Sequence, residues 1–468
     1  MQAVESNINV NNSTLLQQIA KFTEGLSPYH SKMLRDKVLQ RNVLTICDYI
    51  ESLKHEVNLS DSYRGSVIIL LARLSIFFNN KKSFRDITRK DLLSFLDSFR
   101  KPSDPLHRWI GTYNTFRVHF MRFFKWLYYP NIDYKIRPKP SQFENIPQIK
   151  RKEVSIYKPA DLWDPEDDAL FLKYCPSSRD RCYHAMARDS ACRPHELLML
   201  RILDVHFKIA PDKTQYAEIV VNGKTGTRSI PLINCIPYVK DWINQHPQPN
   251  PNSILLTGFG KSLGKIIKEK SLNEIYGNYK QHFFPKLLDN NSVLSEDKHQ
   301  IRNLLNKPWN PYIIRHSALT EKSGILKEHY LRQYAGWSPR SQMHLKYLHY
   351  FGREAGESIL EAHGIVTKDN TQSGVLKNKQ CPNCNEPNKP DSRFCSKCKM
   401  VLTYDAYNET LEMQQEKESE VKQLQEKYEE DIKVMREEMN QQFSQIMSMI
   451  QQNPKLAQIK PEVLSKKM

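Results

Sequence analysis

The chain has 468 residues, and its 69 lysines and arginines against 52 aspartates and glutamates give a formal net charge of +17. Hydrophobic residues make up 39% of the sequence, which excludes a wholly disordered basic protein. A mean hydropathy of −0.63 and the lack of an apolar run of about 18 residues argue against a membrane span. The N-terminus has no signal-peptide pattern, so we expect a cytoplasmic protein. The surplus of positive charge favours a polyanionic partner, most often nucleic acid.

The N-terminal part of the chain predicts a helical domain. Residues 1–14 are polar and are expected to be mobile, whereas residues 15–130 show dense helical periodicity. Thr88 and Asp91 have the spacing of a capping box. A later helix is predicted from an apolar stripe of Phe116, Phe120, Phe123 and Leu127. Residues 131–160 are basic and rich in proline, which predicts an extended linker between two folded regions.

A second folded region is predicted over residues 161–365. Asp164 and Pro165 begin a helix, because proline at the first position followed by acidic residues suits a helix N-terminus. Two short strands, 216–221 and 229–233, flank a turn sequence and predict a β-hairpin. The chain has only 15 glycines, and the expected fold class is mostly α with a small antiparallel sheet, α+β.

Three segments of this region carry the parts needed to break and rejoin a phosphodiester without metal or ATP. Such a reaction needs a nucleophile, fixed positive charge and an acid for the departing oxygen. The segments are, in chain order, Arg193-Pro-His-Glu196, Tyr312-Ile-Ile-Arg315-His316, and Trp337-Ser-Pro-Arg-Ser leading to Tyr347. In the first segment the arginine precedes a helix-opening proline, where free backbone amides favour an anion. Taken singly, each of these residues is more often structural than functional.

Together and in this order, the three segments resemble the tyrosine recombinase family of phage-integrase type. The similarity is closest to archaeal integrases, which share Arg-Pro-x-Glu-Leu-Leu, an Arg-His-Ser box, and Gly-Trp-Ser-Pro-x-Ser before the nucleophile. It covers about residues 165–350 by motif, and the helical domain before them fits the family's core-binding, DNA-binding domain by pattern only. The resemblance implies that duplex DNA is cleaved and rejoined through a 3′-phosphotyrosyl intermediate, with no cofactor for catalysis.

The resemblance also implies a role for each matching residue. Arg193 and Arg315 would hold the scissile phosphate, each by bidentate hydrogen bonds. Glu196 would orient this arrangement and balance its charge. Lys224, in the predicted hairpin, would protonate the leaving 5′ oxygen, although a solvent-exposed hairpin lysine would look the same in the sequence. Tyr347 would attack the phosphorus.

Two positions depart from the family pattern. Tyr312 takes the place of the usual histidine, and its pKa near ~10 removes the easy proton exchange of an imidazole. Trp337 replaces a second histidine, and its indole N–H can only donate a hydrogen bond. His316 is expected to support the site. Tyr347 is preferred to Tyr350 as the nucleophile because its spacing from Trp337 and the histidine two residues after it match the archaeal pattern.

Four of the nine cysteines form a C-x2-C-x10-C-x2-C pattern, which resembles a zinc ribbon over residues 381–400. Residues 366–380 before it are predicted to be a linker. Two thiolates from each knuckle make a closed tetrahedral site for a structural Zn²⁺, with no position left for water. The expected ligands are Cys381, Cys384, Cys395 and Cys398. The pattern leaves open whether the ribbon binds DNA or protein.

Residues 407–452 predict a long amphipathic helix of coiled-coil type, followed by a tail over 453–468. Its apolar stripe has an eleven-residue repeat, which suits a nearly straight or slightly right-handed supercoil. The stripe consists of Val421, Leu424, Tyr428, Ile432, Met435, Met439, Phe443, Ile446 and Ile450. A self-associating helix and a helix docked on its own chain both fit this pattern.

These features predict a site-specific DNA recombinase whose protomers assemble as a homo-oligomer, a tetramer on two sites of double-stranded DNA. The ribbon and the long helix favour the integrase of a mobile element over a resolvase of chromosome dimers. Two other functions fit less of the sequence. One is a DNA-binding architectural or regulatory protein on a catalytically impaired recombinase fold, which Tyr312 supports. The other is a type IB-like DNA topoisomerase, which uses similar arginine, lysine and tyrosine chemistry.

Overall fold

The structure is a computed structural model. The residues that it describes are 12–104, 107–150, 157–223, 226–348, 363 and 374–452. The chain forms two compact units, Met1–Ile156 and Tyr157–Met468. Most of the N-terminus predicted to be mobile and the whole predicted tail lie outside the described residues. Within the described part of the chain, every helix is too short or too polar to cross a membrane.

The first unit is a helical domain with an aromatic core. Its helices are α1 (Asn12–Thr23), α2 (Pro28–Lys37), α3 (Gln40–Glu56), α4 (Asp61–Phe77), α5 (Arg89–Asp97) and α6 (Trp109–Tyr128). The predicted capping box is confirmed: the Thr88 backbone N–H donates to Asp91 at 2.9 Å, and the Asp91 N–H donates to the Thr88 hydroxyl at 3.3 Å. The predicted stripe of α6 is also confirmed, since Phe116, Phe120 and Phe123 are buried.

The segment after α6, which was predicted to be a linker, packs along the first unit as far as Ile149. Phe143 and Ile146 are buried in the same core as α6. Arg137 is also buried, and its Nη1 donates to Glu56 Oε2 at 2.9 Å. Proline and positive charge dominate the local composition. The segment is nevertheless held in place by the burial of Phe143 and Ile146 and by the ion pair of Arg137 with Glu56 of α3.

The second unit contains a three-stranded antiparallel sheet of order β1-β2-β3. Its strands are β1 (Val205–Ile209), β2 (Gln215–Gly223) and β3 (Gly226–Leu232). The predicted hairpin is confirmed by β2 and β3, in which Ile219 pairs with Ile230. β1 was not predicted, although its sequence Val-His-Phe-Lys-Ile alternates between apolar and polar residues, and only Val205 of the five is buried.

Helices surround this sheet and complete the second unit. They are α7 (Pro165–Tyr174), α8 (Ser178–Ser190), α9 (Pro194–Leu198), α10 (Ile236–Asn244), α11 (Glu269–Asn278), α12 (Phe284–Leu287), α13 (Ser295–Asn306), α14 (Pro311–Ser323), α15 (Glu328–Tyr334) and α16 (Leu345–Leu348). The predicted start of α7 is confirmed, with Asp164 accepting a hydrogen bond from the Asp167 N–H at 2.8 Å. α8 is buried over most of its length. The fold class is mostly α with a small antiparallel sheet, as predicted.

The cysteine-rich segment and the long helix end the described chain. A short pair of strands, β4 (Lys379–Gln380) and β5 (Pro387–Asn388), forms the ribbon. α17 (Tyr404–Gln452) is a single helix of 49 residues, and it begins three residues before the predicted start. The ribbon leads directly into this helix: the Leu402 N–H donates to Arg393 O at 2.7 Å, and Arg393 forms an ion pair with Glu409.

Candidate active site and metal centre

Arg193 lies at a corner between α8 and α9. Ala191 has a left-handed backbone (φ 51°) that ends α8 and turns the chain. Arg193 then occupies the N-cap of α9, followed by Pro194 at the first helical position. Glu196, which is 1% exposed, accepts hydrogen bonds from the Arg193 backbone N–H at 2.8 Å and from Arg193 Nη1 at 2.9 Å. The local sequence therefore fixes an arginine and a carboxylate together at a helix N-terminus.

Arg228 of β3 completes this cluster, and the sequence prediction missed it. Its Nη1 and Nη2 donate to the two carboxylate oxygens of Glu196 at 3.0 and 2.7 Å, and its Nε donates to Tyr334 O at 3.0 Å. Burial opposes ionisation of Glu196, but hydrogen bonds from Arg228 and the Arg193 backbone outweigh it and hold the pKa of Glu196 at about 2. One signal was present in the sequence, since Arg228 shares a face of β3 with the buried Ile230.

Two glycines allow this cluster to close. A Cβ at Gly336 would lie 2.5 Å from Arg228 Nη1, and its φ of +64° is itself unfavourable for other residues. A Cβ at Gly223 would collide with Glu196 Oε1. The carbonyl of Gly336 accepts a hydrogen bond from Arg193 Nη2 at 2.8 Å. The third predicted segment is thereby bound to the first.

We expect Arg228→Met to lower the free energy of unfolding of the second unit by about 3 kcal/mol, because it leaves a buried carboxylate with one of its two arginines. Urea unfolding followed by tryptophan fluorescence measures this change. The control is Arg302→Met, which removes an arginine from the exposed face of α13 and is expected to change stability by less than about 0.5 kcal/mol. Equal effects of the two substitutions would contradict a structural role for the cluster.

Arg315 joins the first and third segments from α14. The N-cap Asn310 side chain accepts the Ile313 N–H at 2.9 Å and fixes the start of this helix. Arg315 is 5% exposed, and its Nη1 and Nη2 donate to Ala191 O at 2.5 Å and Ala335 O at 2.8 Å. Burial, assisted by the positive charge of Arg193, lowers the pKa of Arg315. The two arginines of the predicted clamp therefore belong to one electrostatic site.

Tyr347 lies between two aromatic rings contributed by the second and third segments. The Trp337 ring is 5.3 Å from it at an interplanar angle of 24°, and the His316 ring is 5.4 Å away at 25°. Tyr347 is 2% exposed and packs in a small apolar cluster with Ala191 and Ala318. In this position the Tyr347 side chain is covered by protein.

Tyr312 is the most exposed of the described active-site residues, with 39% of its surface accessible to solvent. It lies one helical turn before Arg315 on α14. Partial burial and the negative charge of Glu269 raise the pKa of Tyr312, so its hydroxyl remains protonated at neutral pH. It can donate a hydrogen bond to an anion but is a poor proton shuttle.

Six of the eight predicted active-site residues lie in two directly contacting groups or are joined to them through the backbone. Arg193 contacts Glu196, and Tyr347 packs between His316 and Trp337. Arg315 binds the carbonyls of Ala191 and Ala335, next to the first and third segments. Tyr312 lies beside them on α14. Lys224 lies outside the described residues, but its neighbours Gly223 and Gly226 pair across the hairpin. Tyr350, the alternative nucleophile, also lies outside them.

The four cysteines of the ribbon lie together, with their sulfur atoms all within 4.8 Å of one another. The Sγ atoms of Cys381 and Cys398 are 3.5 Å apart, and those of Cys384 and Cys395 are 3.6 Å apart. A tetrahedral site with Zn–S bonds of about 2.3 Å requires sulfur–sulfur distances of about 3.8 Å, and a disulfide would require about 2 Å. The donor set therefore fits a closed tetrahedral zinc site, as the sequence predicts.

The surroundings of Cys395 favour a thiolate ligand. Burial opposes ionisation of this thiol, but hydrogen bonds from the backbone N–H groups of Cys398 and Lys397 lower its pKa to about 6. Backbone amides directed at sulfur stabilise the deprotonated form that binds metal.

The ribbon docks on α10 and β2 of its own chain. Glu386, 7% exposed, forms an ion pair with Lys240. Lys389 Nζ lies 2.8 Å from Asp241 Oδ2, and Gln215 Nε2 donates to Glu386 Oε2 at 3.3 Å. The sequence left open whether the ribbon contacts DNA or protein, and this face of it contacts the protein's own second unit.

Comparisons with known proteins find similarity only among solved structures. No protein-family model and no curated protein matches the chain. The XerH site-specific recombinase in a post-cleavage complex with palindromic difH substrate has 16% identity and a TM-score of 0.45, over 78% of this chain and 100% of that chain. The Tn1549 transposon integrase in complex with transposon right end DNA has 12% identity and a TM-score of 0.44, over 68% and 99%.

A lambda integrase dimer bound to a COC′ core site has 9% identity and a TM-score of 0.42, over 66% of this chain and 96% of that chain. Because the identities and TM-scores are this low, the assignment of function rests on the residues of the site itself.

Proposed function

We propose that this protein is a site-specific DNA recombinase of the tyrosine type, in agreement with the motif resemblance to archaeal integrases. The observation that carries the proposal is the convergence of three distant segments on one site. Arg193 and Arg315 lie in one electrostatic site with Tyr347, and the hydrogen bonds of both arginines tie the first segment to the third. Two fixed cations beside a tyrosine suit the transfer of a phosphoryl group to a phenolic oxygen.

In the proposed reaction, Tyr347 Oη loses its proton to water and attacks the scissile phosphorus while the bond from phosphorus to the 5′ oxygen breaks. Arg193 and Arg315 neutralise the charge that develops on the non-bridging oxygens. Lys224 gives a proton to the leaving 5′ oxygen. The product is a 3′-phosphotyrosyl link. The 5′ hydroxyl of a second strand then attacks the phosphorus of this link and gives its proton to Lys224, while the bond to Tyr347 Oη breaks and the tyrosine oxygen takes up a proton from water.

The remaining predicted residues support this chemistry. Glu196 holds Arg193 and is shared with Arg228. Tyr312 would donate its hydroxyl proton in a hydrogen bond to the phosphate, and Trp337 and His316 pack on the nucleophile. We further propose that the protein acts in the cytoplasm on double-stranded DNA, as four protomers on two sites.

A second candidate is a DNA-binding architectural protein that uses the same fold without cleavage. The burial of Tyr347 and the replacement of a histidine by Tyr312 favour it. The two candidates differ in one outcome, the formation of a covalent protein–DNA adduct.

The experiment that tests the proposal is a trap assay with a nicked suicide substrate taken from the protein's own attachment region. A covalent adduct on a denaturing gel is expected for the unmodified protein, and Tyr347→Phe is expected to abolish it because the attacking oxygen is removed. Tyr350→Phe, which removes the nearby tyrosine, is the matched control and is expected to retain the adduct.

If Tyr350→Phe loses the adduct and Tyr347→Phe retains it, the nucleophile is Tyr350. Failure of the unmodified protein to form an adduct, with DNA binding intact, would favour the architectural function. Binding itself is measured by titration at two salt concentrations, where phosphate contacts give a steep loss of affinity as salt rises.

A further inference from the structure

The apolar stripe of α17 is exposed along its described length. Its members from Val421 to Ile446 are each 45–69% exposed, so none is covered by the described remainder of the chain. This part of the stripe spans 26 residues, or about 39 Å at 1.5 Å per residue. An isolated helix in water gains little stability, and most helices depend on the packing of an apolar face. Burial of this stripe against a partner would therefore stabilise the helix.

We propose that the partner is α17 of a second copy of the chain, and that the two helices pair in parallel and in register. The eleven-residue repeat places apolar residues at the first, fourth and eighth positions of each repeat. In a parallel pair each such residue meets its own equivalent, giving successive layers of Val421, Leu424, Tyr428, Ile432, Met435, Met439, Phe443 and Ile446. The eleven-residue period makes this pair nearly straight or slightly right-handed.

The charged residues beside the stripe support a parallel orientation. Asp431 and Arg436 lie on opposite flanks of the stripe, both exposed, and their separation of five residues keeps them from pairing within their own helix. In parallel coiled coils, flanking residues five positions apart meet across the interface. Asp431 of each helix would therefore meet Arg436 of the other, which gives two symmetric ion pairs.

An antiparallel pair has unfavourable charges instead. When the two stripes overlap in opposite directions, the centre of the pair lies near Met435. Arg436 then faces Arg436 of the second copy, and Asp431 faces Glu438. Like charges that face each other across an interface are destabilising, so the sequence of the helix disfavours this arrangement.

The test is sedimentation velocity of the full-length protein without DNA, over a concentration series at low ionic strength. The unmodified chain is expected to form dimers, and Ile432→Glu combined with Met435→Glu is expected to leave monomers because two adjacent layers become charged. Because DNA and cleavage are absent, the result is independent of the proposed recombinase function.

The orientation is tested by reversing one charge. Asp431→Arg is expected to raise the dimer Kd about tenfold, since two ion pairs become two repulsive contacts. Arg436→Asp is expected to do the same, and the double variant is expected to restore the original Kd. The matched control, Glu430→Arg, makes the same charge change on the opposite side of the helix and is expected to leave the Kd unchanged.

Several outcomes would overturn the proposal. The unmodified chain could stay monomeric at about 50 μM, a concentration at which a dimer with a Kd of about 1 μM would be largely formed. The doubly charged stripe variant could still dimerise, which would place the interface elsewhere. Tighter dimers of Asp431→Arg would identify the antiparallel orientation, because that change removes the repulsion from Glu438.

Discussion

Arg315→Ala is expected to reduce DNA cleavage by about 10³-fold, the scale of loss for one fixed donor to a developing anion. It is also expected to lower the free energy of unfolding by about 3 kcal/mol, since the carbonyls of Ala191 and Ala335 both lose their donor in a buried site. These carbonyls belong to the turn before Arg193 and the turn before Gly336. The substitution therefore removes a cation from the site and also releases the two turns that Arg315 holds together.

Arg315→Lys separates the two effects. Lysine keeps the charge and can donate to one of the two carbonyls but lacks the planar fork that reaches both, so we expect part of the stability to return while cleavage stays about 10²-fold below that of the unmodified protein. Cleavage is measured on the suicide substrate, and stability by urea unfolding. Arg302→Ala, an exposed change on α13, is the control for loss of an arginine. Normal cleavage by Arg315→Ala would remove this residue from the proposed clamp.

The sequence was most informative where structure is determined locally. The capping box at Thr88, the proline start of α7 and the hairpin between β2 and β3 each depend on residues within a few positions of one another. The stripe of α6 was predictable for a similar reason, since 3.6-residue periodicity reflects which face of a helix is buried. The metal centre also follows from spacing, because two short knuckles must bring four sulfurs together.

Contacts between distant segments were harder to predict. Arg228 is separated from Glu196 by 32 residues, and the two side chains come within hydrogen-bonding distance only when the sheet has folded. The ion pair between Arg137 and Glu56 joins residues 81 positions apart, and no local pattern reveals it. The segment after α6 was therefore judged from its composition alone, which is typical of a linker. The burial of Tyr347 likewise depends on rings from α14 and from the loop before α16, which no local pattern specifies.

Removal of zinc is expected to unfold the ribbon while leaving the catalytic core of the second unit folded. Five residues of the ribbon are buried, namely Cys381, Glu386, Pro387, Asn388 and Cys395. Two of them are metal-ligand cysteines and two are polar, so the ribbon has almost no apolar core of its own. A structural zinc supplies about 10–16 kcal/mol to such a site, far more than these contacts provide. We therefore expect the fold of the ribbon to depend on the metal.

Hydrogen exchange measured before and after chelation tests this dependence. The amide of Cys395, which donates to Met400 O at 2.7 Å, and the amide of Cys381, which donates to Glu386 O at 3.0 Å, are expected to lose protection. Amides of α8 are expected to keep theirs, because that helix lies in the separate hydrophobic core. Zn²⁺ should restore the protection and Mg²⁺ should not, since thiolates select the softer ion.

Cys395→Ser provides the genetic counterpart of chelation. It should lower the zinc content, measured by mass spectrometry, from one ion per chain, and it should release the contacts of Glu386 and Lys389 with α10. Because Arg393 and Leu402 connect the ribbon to α17, the start of that helix should also lose protection. Full protection of the ribbon without metal would mean that the ion pairs with α10, and not the four sulfurs, hold it in place.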